Sequence, residues 1–242
     1  RVSSHETTSL VEGWQIREGT RQEPLPASVP GTVAGALRAA GIWNWDAGRD
    51  LETGDWHFQV PLPVLSDDAE YVVRCEGVAT HHVISVDDEV RAEGRSMFVP
   101  IEAPLRAGDR LLSIRCAALR PILAAKAPRP RWRTRLVADQ SLRSVRTSLL
   151  GRMSGWSPPA PAIGPYRPVE VIARRDVVVD GVKIQATLLD GHRAGLVEVT
   201  ARLRPLSGTI VEDARLELLP TSALGMMAAR DVHGSRDGQA DL

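Results

Sequence analysis

The sequence predicts an all-β protein whose main domain is a β-sandwich, and two observations support this prediction. From residue 55 onward, apolar and polar residues alternate in short runs, as they do in strands with one buried face. Proline, glycine and paired aspartates interrupt these runs about every 8–12 residues, a spacing typical of sandwich folds. We therefore expect strands at residues 57–60, 71–75, 82–86, 110–114 and 169–172.

One helix and one tight turn complete the first part of the chain. Thr32 is placed to cap a helix over residues 33–40, and Gly41 is placed to end it. Asp87 and Asp88 stand between two strand-like runs, and aspartate tolerates the left-handed backbone of a hairpin turn, although less well than glycine. We expect a β-hairpin tip there.

A second strand pattern starts at Asp176 and predicts a second domain. The expected strands are residues 177–179, 182–189, 196–203 and 214–218, separated by Asp-Gly pairs and by a proline-containing turn. They look like the opening strands of an immunoglobulin-like sandwich, a fold of about 100 residues. We place the domains at residues 1–173 and 174–242, and we expect the second to be incomplete, with a polar tail from residue 231.

Composition argues against nucleic-acid and membrane partners. Thirty basic and thirty acidic residues cancel, so no net field attracts polyanions. Residues 126–135 are strongly basic around Trp132 and suit either a solvated loop or a contact to single-stranded nucleic acid, and the neutral chain favours the loop. No apolar run approaches the roughly 20 residues of a membrane span. We expect a soluble protein, with the cytoplasm slightly favoured over secretion or the periplasm.

The sequence also lacks the common catalytic and cofactor motifs. It contains no G-x-S-x-G elbow, no phosphate-binding glycine loop and no H-E-x-x-H pair. His81 and His82 are adjacent, and adjacent side chains on a strand face opposite ways, so they do not share a metal. Cys75 and Cys116 lie in apolar strand-like runs and are expected to be buried thiols. We expect no metal and no cofactor.

Five short segments, in this order and spacing, resemble a known module. The resemblance is to the N-terminal sugar-binding domain of glycoside hydrolase family 2, most closely its β-mannosidase branch. The segments are Val29-Pro-Gly-Thr-Val33, Asp55-Trp-His-Phe58, Glu76-Gly-Val-Ala-Thr80, Ser96-Met-Phe98 and Gly164-Pro-Tyr-Arg-Pro-Val169.

The resemblance implies a fold and an activity. It implies a jelly-roll sandwich of the galactose-binding-domain type, followed by an immunoglobulin-like domain and a catalytic (β/α)₈ barrel. The intact enzyme would hydrolyse terminal β-linked sugars with retention, using two glutamates of that barrel, the acid/base directly after an asparagine. The only asparagine here is Asn44, and Trp45 follows it, so no residue of this chain is assigned a catalytic role. Its partners would be the carbohydrate substrate and the barrel of the same polypeptide.

Two segments are candidates to reach a sugar held by such a barrel. Residues 41–48 match the place where the family extends a loop toward substrate, and Trp43, Asn44 and Asp46 have suitable chemistry, since aromatic faces stack on sugars and carboxylates accept hydroxyl hydrogen bonds. An equally good interpretation is that Trp43 and Trp45 fill the gap between helix and sandwich.

The second candidate segment, residues 152–159, matches a β-mannosidase motif Gly-Trp-Asp-Trp-Gly-Pro. Arg152 and Trp156 are candidate substrate-binding residues, together with Ser157, which replaces the motif's aspartate. In β-mannosidases that aspartate points into the sugar pocket. A serine forfeits the charge-assisted acceptance of a carboxylate, so this segment departs from the mannose-binding motif at that position.

Other aromatic and apolar residues in the motifs are expected in the core. These are Trp14, Trp56, Phe58, Met97 and Phe98. Two further interpretations of the whole chain remain open alongside the glycosidase fragment, namely a stand-alone carbohydrate-binding module and a structural spacer domain.

Overall fold

A computed structural model describes residues 5–19, 23–46, 48–125, 132–153, 155–189, 194–206 and 240–241. These residues form an almost entirely β structure, which confirms the predicted fold class. In chain order the first elements are β1 (His5–Ser9), β2 (Gln15–Glu18), β3 (Leu25–Pro26), α1 (Val33–Ala39), β4 (Trp56–Pro61), β5 (Glu70–Cys75), β6 (His82–Val86) and β7 (Glu89–Gly94). They are followed by β8 (Ile101–Leu105), β9 (Leu111–Cys116), α2 (Leu119–Ala124), a 3₁₀ helix (Gln140–Ser144), β10 (Val169–Arg174), β11 (Val177–Leu188), β12 (Gly195–Pro205) and β13 (Ala240–Asp241).

Two sheets form the β-sandwich of the first part of the chain. One has six strands in the order β3-β2-β4-β9-β6-β7, and the other has four in the order β1-β10-β5-β8. Neighbours far apart in sequence, such as β4 and β9, pair antiparallel, so the chain crosses repeatedly between strands as in a jelly roll.

The core lies between these sheets. A single cluster of buried side chains contains Phe58, Ile84 and Ile114 of the six-stranded sheet together with Val73 and Val171 of the four-stranded one. Buried and partly exposed positions alternate along β4 and β6, as the period-two pattern predicted. Each such aliphatic or aromatic side chain stabilises the sandwich by roughly 1.5–3 kcal/mol.

Both cysteines lie inside this core as free thiols. Burial raises the pKa of the Cys75 thiol to about 12, and burial also raises that of Cys116. They therefore act as small apolar side chains, as expected from the sequence.

Helix α1 begins and ends as its sequence predicts, within one residue. The Thr32 hydroxyl accepts a hydrogen bond from Gly35 N at 3.2 Å. At the other end Gly41 has φ of +71°, Gly41 N donates to Arg38 O and Ile42 N donates to Leu37 O. These two bonds form a Schellman motif, which favours glycine at the left-handed position. The chain after Gly41 therefore leaves the helix in a defined direction.

The hairpin between β6 and β7 uses the predicted pair of aspartates. Asp87 and Asp88 both have positive φ, 46° and 67°. The Asp87 carboxylate also accepts hydrogen bonds from the backbone N–H of Arg110 and Leu111, at 3.1 and 3.0 Å. These hydrogen bonds to the start of β9 offset the backbone strain of a positive φ, which a glycine would avoid.

The core prediction was wrong for Phe98, which is 51% exposed, whereas Trp14, Trp56, Phe58 and Met97 are buried. The Met97 sulfur faces Ser148 N at 2.9 Å, and the next side chain along the turn points away from the interior. The Arg146 guanidinium lies over the outward Phe98 ring, 5.8 Å from its centroid.

The described chain divides into two compact units, the larger being Glu6–Ala173. The smaller contains the antiparallel hairpin of β11 and β12, with β13 paired to β12 at Arg202 and Leu203. A strand break at Asp180-Gly181 was predicted and is wrong: β11 continues through it as a register shift between Val179 and Gly181.

Other predictions for the second unit are not tested. The strand expected at residues 214–218 lies outside the described residues, as does the polar tail apart from β13. The immunoglobulin-like assignment, its incompleteness and the placing of the domain boundary stay predictions.

Candidate functional site

The two candidate segments meet at one pocket in the larger unit. A cavity of about 310 Å³ is lined by Trp43 and Trp45 from the first segment and by Arg152 and Ser157 from the second. Some 100 residues of sequence separate the two sides. The fold brings the two segments to one place, as a common role in contacting a ligand would require.

The two tryptophans occupy different environments. Trp43 is only 6% exposed and belongs to the main core cluster, whereas Trp45 is 42% exposed. Their rings meet edge to face, with centroids 5.2 Å apart and planes at 71°. Arg38, on the last turn of α1, lies over Trp45 at 5.5 Å from the ring centroid. Trp43 thus fills the gap beside the helix, and it also holds Trp45 at the pocket.

A buried ion pair joins the two sides of the pocket. The Arg152 guanidinium donates to Glu52 Oε1 from Nη2 at 2.6 Å and from Nε at 3.0 Å. Its Nη1 donates to Ser148 O at 2.6 Å. The side chains of Arg152 and Glu52 are 5% and 4% exposed, so each charge depends on the other for compensation.

A third side of the pocket was not predicted from the sequence. Arg120, on α2, bridges two carboxylates: its Nε donates to Asp50, and its Nη1 donates to Asp139 at 2.6 Å. All three residues line the cavity. Burial alone would lower the pKa of Arg120, but the hydrogen bonds and charges of Asp50 and Asp139 outweigh it and raise that pKa.

Asp55, from one of the five motif segments, fixes the start of α2. Its carboxylate accepts Ala118 N at 2.7 Å and Arg115 Nη1 at 2.8 Å. Burial acts to raise the Asp55 pKa, but these two partners outweigh it and lower that pKa. Since Ala118 immediately precedes α2, this contact positions Arg120 at the pocket.

Of the other predicted site residues, Asn44, Asp46 and Trp156 do not line the pocket, and Ser157 does. Asn44 and Asp46 are exposed, and Asn44 Oδ1 accepts the backbone N–H of Asp46 at 3.0 Å as an Asx turn. Trp156 is 76% exposed. Ser157 lines the pocket, but its hydroxyl accepts Gly151 N at 2.8 Å and so closes a turn.

The chemistry available at the pocket is that of a binding site. Aromatic, carboxylate and guanidinium groups border it, and these groups suit hydroxylated ligands. Among the residues that the structure describes, no group of three or more His, Cys, Asp and Glu side chains is placed to hold a metal ion. In the same part of the chain, no helix is long and apolar enough to cross a bilayer.

The sequence matches no protein-family model and no curated protein. Solved structures do match. The β-D-mannosidase from Dictyoglomus thermophilum aligns over 83% of this chain and 26% of its own, with a TM-score of 0.63 and 19% identity. A family 2 β-galacturonidase from Eisenbergiella tayi, bound to galacturonate, aligns over 86% of this chain and 31% of its own, with a TM-score of 0.52 and 14% identity.

At these identities the likeness concerns the fold, and this chain spans only 26% and 31% of the two enzymes. The resemblance predicted from the five motif segments is confirmed at that level. The chain adopts the β-sandwich fold found in part of family 2 glycoside hydrolases.

Proposed function

We propose that this chain is the non-catalytic region of a retaining, β-mannosidase-like glycoside hydrolase that acts on terminal β-linked sugars. It forms one side of the substrate pocket and supports a catalytic barrel in the same polypeptide. The observation that carries the proposal is the meeting of the two candidate segments, residues 41–48 and 152–159, at a single pocket.

The side chains of that pocket support binding of a sugar and not its cleavage. Retaining hydrolysis needs two carboxyl groups about 5–5.5 Å apart, one as nucleophile and one as acid/base. Glu52 is buried against Arg152, and Asp50 and Asp139 are both bound to Arg120. Each of these carboxylates is thus engaged by an arginine of the same pocket, and none of them is paired with a second carboxyl group as that chemistry requires.

A stand-alone carbohydrate-binding module is the second candidate, and one observation favours it. Trp45 presents a partly exposed ring beside a cavity of about 310 Å³, which is enough for a sugar ring to stack without any further domain. A free-standing module binds glycans by itself, whereas one side of a shared pocket does not.

Turnover and binding separate the two candidates. The 242-residue chain and the protein carried through its catalytic region are assayed side by side on aryl β-mannoside, β-glucoside and β-galactoside. We expect turnover only with the catalytic region present, and no saturable glycan binding by the 242-residue chain alone. Saturable binding by that chain together with an inactive longer protein would favour the module.

A further inference from the structure

The unassigned part of the pocket is its third side, where Arg120 of α2 bridges Asp50 and Asp139. The segment that carries Asp139 was not among the sequence candidates, and it lies outside the five motif segments. The inference below rests on the proposed function, because it concerns the ligand of the same pocket.

The polar groups of the other two sides are largely occupied by protein partners. Three donors of Arg152 go to Glu52 and Ser148 O, and the Ser157 hydroxyl accepts Gly151 N. Arg49 is paired with Glu18. These groups hold the shape of the pocket and offer a ligand few hydrogen bonds.

The third side keeps hydrogen-bonding capacity open to the cavity. The side chains of Arg120, Asp50 and Asp139 are 43%, 37% and 38% exposed. Among the described residues, Asp139 accepts the Arg120 hydrogen bond on Oδ2, which leaves its other carboxylate oxygen as an acceptor. The guanidinium retains donors beyond the two that it uses, and its two ion pairs fix its orientation.

Trp43, another residue that lines the same cavity, carries a buried donor. Trp43 is 6% exposed, and its indole Nε1–H has no hydrogen-bond partner among the described residues. A buried unpaired donor is costly to the folded protein. The lining of the cavity therefore combines the carboxylate acceptors of Asp50 and Asp139, the remaining guanidinium donors of Arg120 and the Trp45 ring.

Charge then selects among sugars. The network of Asp50, Arg120 and Asp139 carries one net negative charge, and all three arginines among the described lining residues are ion-paired. A uronic acid carboxylate finds no uncompensated cation there and is repelled by Asp139. The hydroxyl groups of a neutral sugar can donate hydrogen bonds to these carboxylates without any charge repulsion.

We propose that the Asp50–Arg120–Asp139 network is the specificity-determining element of this pocket, and that it selects a neutral, polyhydroxylated sugar over a uronic acid. The fold alone does not decide this point, because the structural neighbours include both a mannosidase and a galacturonidase. The net negative charge of the Asp50–Arg120–Asp139 network determines the preference for a neutral sugar.

The test compares binding by the protein carried through its catalytic region, using methyl β-D-mannoside and methyl β-D-glucuronide as probes in calorimetric or NMR titrations. Asp139→Asn keeps the size of the side chain and removes its charge. The matched control is Glu89→Gln, which removes an exposed, ion-paired carboxylate that is not among the lining residues. Turnover of the corresponding aryl glycosides is measured on the same samples.

We expect wild type to bind the mannoside at least tenfold more tightly than the glucuronide. Asp139→Asn should reduce that ratio at least fivefold, and Glu89→Gln should leave it within twofold. A wild-type preference for the glucuronide, or an unchanged ratio in Asp139→Asn, would overturn the inference even if turnover is normal. Absence of turnover with the expected binding ratios would instead overturn the proposed hydrolase activity and leave the inference standing.

Discussion

Replacing Arg152 by leucine tests how the two sides of the pocket are held together. The substitution leaves the Glu52 carboxylate, 4% exposed, inside the protein without its counter-charge, and it frees Ser148 O of a 2.6 Å hydrogen bond. Breaking a buried ion pair from one side costs roughly 3–5 kcal/mol, because the remaining charge loses both water and partner. A domain of this size loses about 2–4 °C in Tm per kcal/mol, so Arg152→Leu should lower Tm by roughly 6–20 °C.

The double variant Glu52→Leu with Arg152→Leu separates the pair from the packing around it. With both charges removed no unpaired ion remains, so the double variant should be more stable than Arg152→Leu alone, with a coupling energy of about 2 kcal/mol or more. Arg106→Leu is the control, since its partner Glu89 is 54% exposed and such a surface pair contributes only about 0–1 kcal/mol.

Urea and thermal unfolding, followed by tryptophan fluorescence, measure these free energies. An Arg152→Leu variant within about 1 kcal/mol of wild type, or a double variant whose loss equals the sum of the two single losses, would refute the reasoning. Either result would mean that the Glu52 and Arg152 charges are compensated by solvent in the folded protein.

Three further predictions concern the core and the pocket. Gly94→Ala places a Cβ at 2.2 Å from His82 Nε2 and should cost about 1–3 kcal/mol in urea unfolding, whereas Gly181→Ala, with no atom within 4 Å, should not clash. Burial lowers the pKa of His82, so as the pH falls the unfolded chain takes up a proton before the folded protein does. The free energy of unfolding should therefore fall as the pH drops below about 6.5. The pKa values of His57 and His81 are lowered too, so His82→Gln should reduce this loss of stability without abolishing it. Ser157→Asp keeps an acceptor for Gly151 N, so it should alter the free energy of unfolding by no more than about 0.5 kcal/mol. In the protein with its catalytic region, the same substitution should change the ratio of kcat/KM for mannoside to kcat/KM for galactoside. An unchanged ratio would place this turn away from the sugar.

The sequence predicted strands best where one face of the strand is buried and the other is exposed to solvent. β4 and β6 show that alternation, and both are found within a residue of their expected positions. β1 was missed because all five of its residues are exposed, so its sequence carries no apolar period. β8 was missed because it contains Pro104, which an edge strand of the four-stranded sheet tolerates.

Local sequence motifs predicted part of the lining of the candidate pocket. Trp43, Arg152 and Ser157 line the pocket, but Trp156 does not, because the turn that Ser157 closes leaves the preceding ring in solvent. Arg120 and Asp139 carried no sequence signal, since charged residues in a connecting segment have the composition of an ordinary solvated surface. They line the pocket because Asp55 binds the backbone at the start of α2, which places Arg120 of that helix beside Asp50.

The stereochemistry of hydrolysis tests whether the intact protein is a retaining glycosidase. The protein carried through its catalytic region is incubated with an aryl β-D-mannoside, and ¹H NMR follows the anomeric proton of the first sugar released. A retaining enzyme releases the β-anomer first, which then mutarotates, and this is the result we predict. Initial release of the α-anomer, or no release of sugar from any neutral β-glycoside, would contradict our proposal that this chain is part of a retaining glycoside hydrolase.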